Sequence, residues 1–240
     1  MHHAPRHDGH GSGARTPLTA RGRGAHHIWP QPSQSDNTAR SFPFHVESGP
    51  LVSPPDLHLR PARDEDALML AALSTEVWLD TYARDGVSRA FANHVLSEYA
   101  PEVFQAALHA PDTRLLVLER QAHLLGYVRL HLTPDPPAPD CGTAEIKTLY
   151  LRRHHHRLGL GTLLFRAAMA ELHGLGHCRG YLTVYEHNDP AVAFYRALGM
   201  DQTGRCVFRF EDQSAPNLIF SSSTAGFSGP ELHTGAANIQ

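Results

Sequence analysis

Two stretches in the second half of the chain combine residue types and spacings that could hold an anion and supply a proton donor. The first runs from Glu145 through the apolar-rich Ile146-Lys147-Thr148-Leu149-Tyr150-Leu151 into Arg152-Arg153-His154-His155-His156-Arg157-Leu158-Gly159-Leu160-Gly161-Thr162. A strand that feeds a short glycine-containing loop at the start of a helix presents backbone N–H groups to an anion such as a phosphate. The second stretch is Asn188-Asp189-Pro190-Ala191-Val192-Ala193-Phe194-Tyr195 with Gly199 closing it. A helix carrying Tyr195 can supply a phenolic proton donor. Each motif also has an ordinary reading. A lone Gly-x-Gly is common in turns, Glu145 could be a strand carboxylate paired with Lys147, and Tyr195 could pack beside Phe194. The pairing of the two motifs favours the chemical reading.

Glu145 is the candidate base. A primary amine with pKa ~10.4 is almost wholly protonated at neutral pH, and freeing its lone pair costs roughly 4–5 kcal/mol. A carboxylate on the strand that leads to the anion loop could take that proton, directly or through water.

The flanking sequence predicts the elements that would hold these groups. Leu57–Arg60 reads as a short strand. Asp64 or Asp66 would cap a helix with Leu70, Leu73, Val77 and Trp78 on its apolar face. A second helix spans Ser88–Ser97, and Pro101 introduces a third over Glu102–Leu108. Arg114–Arg120 and Leu124–Leu132 form a hairpin, and Thr133–Gly142 is a Pro-rich loop. Thr143–Leu151 is the next strand, and a helix over Gly159–Leu172 buries Leu160, Leu163, Leu164, Ala167, Ala168 and Leu172. Strand Gly180–Val184 follows. Asp189 and Pro190 suit the start of the next helix and Gly199 its C′ position. Strands Gly204–Phe210 and Asn217–Phe220 complete the order.

That order and those two motifs resemble the acetyl-CoA-binding core of the GNAT acetyltransferase superfamily, over residues 56–220. The resemblance implies an α/β (α+β) fold, a central mixed, mostly antiparallel sheet flanked by helices, with splayed strands 4 and 5 holding acetyl-CoA. It implies that the cofactor pyrophosphate rests on His156, Arg157, Leu158, Gly159, Leu160, Gly161 and Thr162, with His156 where the superfamily usually has Arg or Gln. Arg152, Arg153 and Arg157 would draw in CoA phosphates or else form a solvated positive face. The strand amides of Leu149, Tyr150 and Leu151 would face the thioester, Leu149 first among them as oxyanion donor. Tyr195 would be the general acid, and Glu145 stands 11 residues before His156, the offset of the glutamate in histone-acetylating members. Asn188 would bond to the pantetheine arm or shape the turn.

Thr75–Tyr82, Arg84-Asp85-Gly86, Phe208–Gln213 and Asn217–Phe220 look like the Pai-type spermidine/spermine N-acetyltransferases, with Asn217 in place of an Asp. Glu76, Asp80 and Asp85 would then be carboxylates for a polycation, or simply an acidic helix face. The implied function is transfer of an acetyl group to a primary amine of a small, polyamine-like molecule, by direct attack in a ternary complex. The alternatives are a non-catalytic acyl-CoA-binding module, or acetylation of a protein amine. The resemblance is compatible with a homodimer, although no interface is legible.

Composition sets the outer bounds. The chain has 240 residues, 41% of them hydrophobic, and a net charge of −3. That is core enough for one sizeable domain and no global basic field for nucleic acid. The 3 cysteines are widely spaced and form no Cys-x-x-Cys pair, which argues against a disulfide framework or a zinc site. No apolar run suits a membrane helix and no signal-like segment opens the chain, so the expected location is cytoplasmic. Residues 1–55 and 221–240 read as disordered tails. The first holds His2, His3, His7, His10, His26, His27 and His45 without a ligand spacing, so no metal site is expected, although a metal-responsive arm is the remaining functional reading.

Overall fold

Runs of aliphatic residues long enough to cover both faces of a strand need helices on both sides of the sheet. Two such runs, Leu115–Leu118 and Leu124–Val128, are buried throughout, and the fold is built around them. The computed structural model describes residues 56–210 and 213–227. The tail over 1–55, with its histidines, and the last residues of the chain lie outside the described residues.

Strand β1 (Leu57–Pro61) leads through a single 3-10 turn (Asp64–Asp66) into helix α1 (Ala67–Tyr82), then α2 (Arg89–Glu98) and α3 (Pro101–His109). Strands β2 (Thr113–Arg120), β3 (His123–His131) and β4 (Ala144–Leu151) follow, then α4 (Leu160–Gly174), β5 (Arg179–Tyr185), α5 (Asp189–Ala197), β6 (Asp201–Phe210) and β7 (Gln213–Ser223). They make a 7-stranded sheet in the order β1-β2-β3-β4-β5-β7-β6. All neighbours are antiparallel except β4 and β5, which run parallel. The mixed, mostly antiparallel sheet flanked by helices is the architecture expected from the motifs.

Side-chain alternation sorts the core into two layers. Leu116, Leu118, Val128 and Leu130 join Leu160, Leu163, Leu164, Ala168 and Leu172 of α4 and Val192 and Tyr195 of α5. Leu115, Val117, Leu124 and Tyr127 join Leu70 and Leu73 of α1 and Phe104 and Ala107 of α3. Helices α4 and α5 thus cover one face, and α1 and α3 the other.

Ser88 caps α2, its Oγ accepting from the Phe91 N–H at 3.1 Å. At α5 the start differs by one residue from expectation. Asn188 is the cap, its Oδ1 accepting from the Ala191 N–H at 3.4 Å, and Asp189 and Pro190 are the first two helical residues. Asp66 also departs from its expected part. Its side chain makes no cap at α1; it is fully buried and paired with Arg60, Nη1 to Oδ2 at 2.7 Å and Nη2 to Oδ1 at 2.9 Å. Arg60 Nη2 also donates to Glu119 Oε2 at 2.7 Å, and the Arg63 N–H donates to Asp66 Oδ2 at 2.7 Å. A carboxylate without water is held charged only by such partners. Burial opposes the charge on Asp66, yet Arg60 and the Arg63 amide outweigh it and hold its carboxyl below the usual range.

Strands β6 and β7 are longer than their apolar cores, because Asp201–Gln202 and Ser221 continue the pairing. Strand β7 runs through Ser223, past the boundary placed at residue 220. Beyond it the Thr224 N–H donates to the Cys178 carbonyl at 3.0 Å, and Phe227 meets Phe165 edge-on at 5.8 Å. The domain therefore continues at least to Phe227.

Candidate active site

The parallel contact between β4 and β5 is confined to two pairs, Ala144 with Gly180 and Glu145 with Tyr181. After Glu145 the two strands part. The pairing of β3 with β4 shows why. Arg129 faces Thr148 while its neighbour Leu130 faces Ile146, so Lys147 is an extra residue in β4. A bulge of this kind bends its strand and leaves a residue outside the ladder. Leu149, Tyr150 and Leu151 follow the bulge, on the stretch of β4 that has no partner in β5.

Glu145 occupies the last paired position before the gap. It is buried, at 9% exposure, and its Oε2 lies 3.7 Å from Lys147 Nζ. The half-exposed ammonium of Lys147 keeps a counter-charge beside a carboxylate that is otherwise largely shielded from water.

At the other end of β4, Arg152 and a 3-10 turn (Arg153–His155) lead to the glycine loop. His156, Arg157, Leu158 and Gly159 are exposed and Leu160 is buried. Arg157 and Gly159 both have positive φ, 61° and 77°. A Cβ at Gly159 would touch nothing within 4 Å, so this glycine answers to conformation and not to space. The first helical bond of α4 is from the Leu163 N–H to the Gly159 carbonyl at 3.0 Å. The amides of Leu160, Gly161 and Thr162 therefore precede the first intrahelical donor, and they sit at the positive end of a 15-residue helix dipole. His156 Nε2 donates to the Leu151 carbonyl at 2.8 Å, which ties the loop back to the end of β4.

The two motifs meet at a glycine. A Cβ on Gly161 would lie 3.3 Å from Phe194 Cζ, so the first turn of α4 packs on the ring that precedes Tyr195. Tyr195 is in turn fixed by the end of α5. Gly199 takes a left-handed φ of 79° at C′, its N–H donates to the Arg196 carbonyl, and the Met200 N–H donates to the carbonyl of Tyr195. This is a Schellman ending, and buried Met200 packs in the same cluster as Tyr195. The Tyr195 ring lies 5.2 Å from Phe194 and 6.2 Å from Phe220. Burial first, and then the neighbouring Tyr82 phenol, push its pKa above the ordinary phenol value. Tyr195 is thus a protonated hydroxyl across the neutral range.

Asn188 spends its Oδ1 on the α5 cap. The arginines before the loop are also engaged. Arg152 Nε donates to both carboxylate oxygens of Glu76, at 3.0 and 2.9 Å, and Arg153 Nη1 pairs with Asp80 Oδ1 at 3.3 Å. Glu76 and Asp80 are one turn apart on α1, so two ion pairs bind that helix to the loop. Both acidic residues that a polycation could use there already carry an arginine, while Asp85 is exposed.

Sequence reasoning left out three tyrosines that the fold gathers beside the gap. Tyr82 ends α1, Tyr99 caps the end of α2, and Tyr185 ends β5. Only the aromatic residue in the Thr75–Tyr82 stretch hinted at one of them. Among the described residues no group of three or more His, Cys, Asp or Glu converges as metal ligands, no helix is long and apolar enough to cross a membrane, and the cysteines are free thiols.

A glycine loop opens a helix, a strand pair parts beside it and a buried tyrosine stands on the next helix. The family model for the GNAT acetyltransferases matches residues 75–200, just over half of the chain, and the chain belongs to that family. More particularly, it is 23% identical over 161 residues to an uncharacterized N-acetyltransferase encoded in the pepI 3′ region of Lactobacillus delbrueckii subsp. lactis, covering 67% of this chain and 93% of that protein. In fold it is similar to the PaiA N-acetyltransferase of Thermoplasma acidophilum, solved in complex with coenzyme A. The TM-score is 0.56 at 20% identity, over 70% of this chain and 98% of that one. A variant of the spermidine N-acetyltransferase SpeG from Vibrio cholerae gives a TM-score of 0.52 at 20% identity, over 72% and 96% of the two chains.

Proposed function

We propose that this chain moves the acetyl group of acetyl-CoA to the primary amine of a small molecule, by direct attack within a ternary complex. The observation that carries this reading is the gap that opens between β4 and β5 directly after Glu145, with the uncapped amides of α4 at its mouth. Those amides, together with the shape of the loop from His156 to Gly161, fit a pyrophosphate. The CoA thioester supplies an activated acetyl group. Everything else is done by the protein.

The amides along Leu149, Tyr150 and Leu151 line the parted edge of β4. One of them, assigned to Leu149, steadies the thioester oxygen as negative charge gathers there, an effect of about 2.7–4 kcal/mol in acyl-transfer sites. Glu145 takes a proton from the acceptor ammonium, directly or through water. The freed nitrogen lone pair forms the N–C bond, the C–S bond breaks, Tyr195 gives its proton to the departing thiolate, and the second proton shed by the acylated nitrogen passes through water to restore the phenol. Its raised pKa suits a donor that must hold its proton until that moment. Asn188 serves mainly by fixing the start of the helix that presents Tyr195.

A polyamine acceptor is the finer form of this reading. It draws support from the Thr75–Tyr82 stretch and from the polyamine enzyme among the fold relatives. The test is CoA release from acetyl-CoA by the full-length protein, without amine and then with a panel that includes spermidine. Amine-stimulated release is the expected result, and stimulation by spermidine supports the polyamine form. An absence of both release and acetyl-CoA binding would overturn the assignment.

A further inference from the structure

The strands that separate after Glu145 and Tyr181 each carry a tyrosine further along, Tyr150 on β4 and Tyr185 on β5. Tyr150 packs with the α1–α3 layer, whereas its neighbours Leu149 and Leu151 belong to the α4 layer. Tyr185 shares the Tyr181 face of β5 by simple alternation. The two tyrosines therefore flank the gap on the side away from α4.

Rings from α1 and α2 close over that same side. Tyr82 stands 5.0 Å from Trp78, and Trp78 stands 5.0 Å from Phe91 and 4.7 Å from His94. His94 meets Tyr99 edge-on at 5.9 Å, and the Tyr99 and Tyr150 hydroxyls share a hydrogen bond at 3.0 Å. Tyr82 is within electrostatic range of Tyr99, Tyr150, Tyr185 and Tyr195. Burial pushes its pKa up to about 12, so at neutral pH its phenol is uncharged.

Three carboxylates of the region are paired. Glu76 holds Arg152, Asp80 holds Arg153 and Glu145 holds Lys147. A cation arriving between these pairs meets ring faces and phenolic oxygens, while Glu98 beside Tyr99 and Asp85 three residues after Tyr82 are exposed. Aromatic faces attract ammonium groups, and more strongly where water is displaced.

We propose that Tyr82, Tyr99, Tyr150 and Tyr185 form the acceptor subsite, an aromatic box for a primary ammonium on an apolar carbon chain, with Tyr82 as the specificity-determining residue. This inference rests on the acetyltransferase reading above. Recognition by neutral rings keeps the ammonium from being trapped as a salt, which leaves its proton free to pass to Glu145.

The test uses the full-length protein with saturating acetyl-CoA and three probes, hexylamine, phenethylamine and spermidine. Tyr82→Leu is expected to raise the amine KM at least tenfold while the acetyl-CoA KM stays within twofold. Tyr82→Phe, which keeps the ring, should stay within threefold of the parent. An unchanged amine KM in Tyr82→Leu, or an equal rise in the acetyl-CoA KM, would overturn the box. So would a tenfold rise in amine KM on combining Glu76→Gln with Asp80→Asn, since carboxylates would then be the binding groups. Should Tyr82→Leu not fold, the emission of Trp78 decides the matter in a Trp29→Phe background. Saturating amine with CoA present is expected to shift it, and an unmoved spectrum overturns the proposal. Calorimetric binding of acetyl-CoA separates the two readings: without it the acetyltransferase assignment fails, and with it only the box is at stake.

Discussion

The two sides of the β4/β5 gap are built on different principles. The α4–α5 side is made of local devices. The glycine loop, the helix start, the Gly161–Phe194 contact and the Schellman ending after Tyr195 each depend on residues close in sequence or on one pair of neighbouring helices. The α1–α3 side is assembled from distant pieces. Tyr99 and Tyr150 share a hydrogen bond across 51 positions, and Arg152 reaches Glu76 across 76. Local devices hold a shape that every acetyl-CoA needs, whereas long-range ring contacts can change one residue at a time and alter which amine fits. Specificity belongs on the side where single substitutions do not dismantle the backbone.

That contrast can be broken most sharply at Tyr195. Tyr195→Phe keeps the ring packing and removes the proton donor, so kcat is expected to fall about 10²–10⁴-fold with little change in acetyl-CoA KM. A kcat within threefold of the parent would remove Tyr195 from the chemistry. The parent rate should also hold through pH 9 on the alkaline side, because the Tyr195 phenol is raised above its ordinary value and keeps its proton there.

Next in size is the ion cluster that ties β1 to β2 and to the start of α1. Asp66→Asn leaves Arg60 facing a neutral partner in a dry site, and breaking such a pair costs about 3–5 kcal/mol. Denaturant unfolding should show this loss, with the KM values of the folded protein unchanged. The Asp66 carboxyl is lowered in the folded state. Its contribution is therefore complete above the unfolded carboxylate value, about 3.9, and is lost as pH falls through the lower folded value. The variant should lack that share of the acid-limb slope.

At Gly161 the expected effect is smaller. Gly161→Val sets branched carbons against Phe194, and overpacking of this kind costs about 1–3 kcal/mol. It should appear as a raised acetyl-CoA KM, with amine KM little affected. A change confined to amine KM would erase the distinction between the two sides. Smallest of all is Glu76→Gln. The Arg152–Glu76 pair is partly exposed and worth about 0–1 kcal/mol, so thermal unfolding should shift by no more than a few degrees.

The same division explains what could be read from residue order. The hairpin β2–β3, the α4 stripe, the loop from His156 to Gly161 and the Gly199 ending are short-range patterns, and they stand where their spacing implies. Asn188 displaced Asp189 as the α5 cap because both residue types can serve and only the backbone decides between them. Asp66 looked like a helix cap because its partner Arg60 lies in the preceding strand, outside the periodic pattern. Ser221–Ser223 looked like tail because serine carries no apolar signal, yet pairing with β5 through Arg179 and Gly180 extends the strand. The aromatic box as a set had no signature, since its members are single tyrosines on α1, α2, β4 and β5 and only Tyr82 and Tyr150 lay in stretches the sequence singled out.

Lys147 carries a last implication. It is the one residue of β4 that the β3 ladder skips, and everything after it is shifted by one place. Were Lys147 paired like its neighbours, Leu149 and Leu151 would turn toward α1 and Tyr150 would be driven into the α4 core, because a slip of one exchanges the two faces of a strand. Deleting Lys147 joins Ile146 to Thr148 with every β3 partner and side-chain face kept, so it removes the bend alone, and it is expected to lower CoA release by favouring closure of β4 onto β5. In evolutionary terms, one codon separates a continuous sheet from a sheet with a doorway.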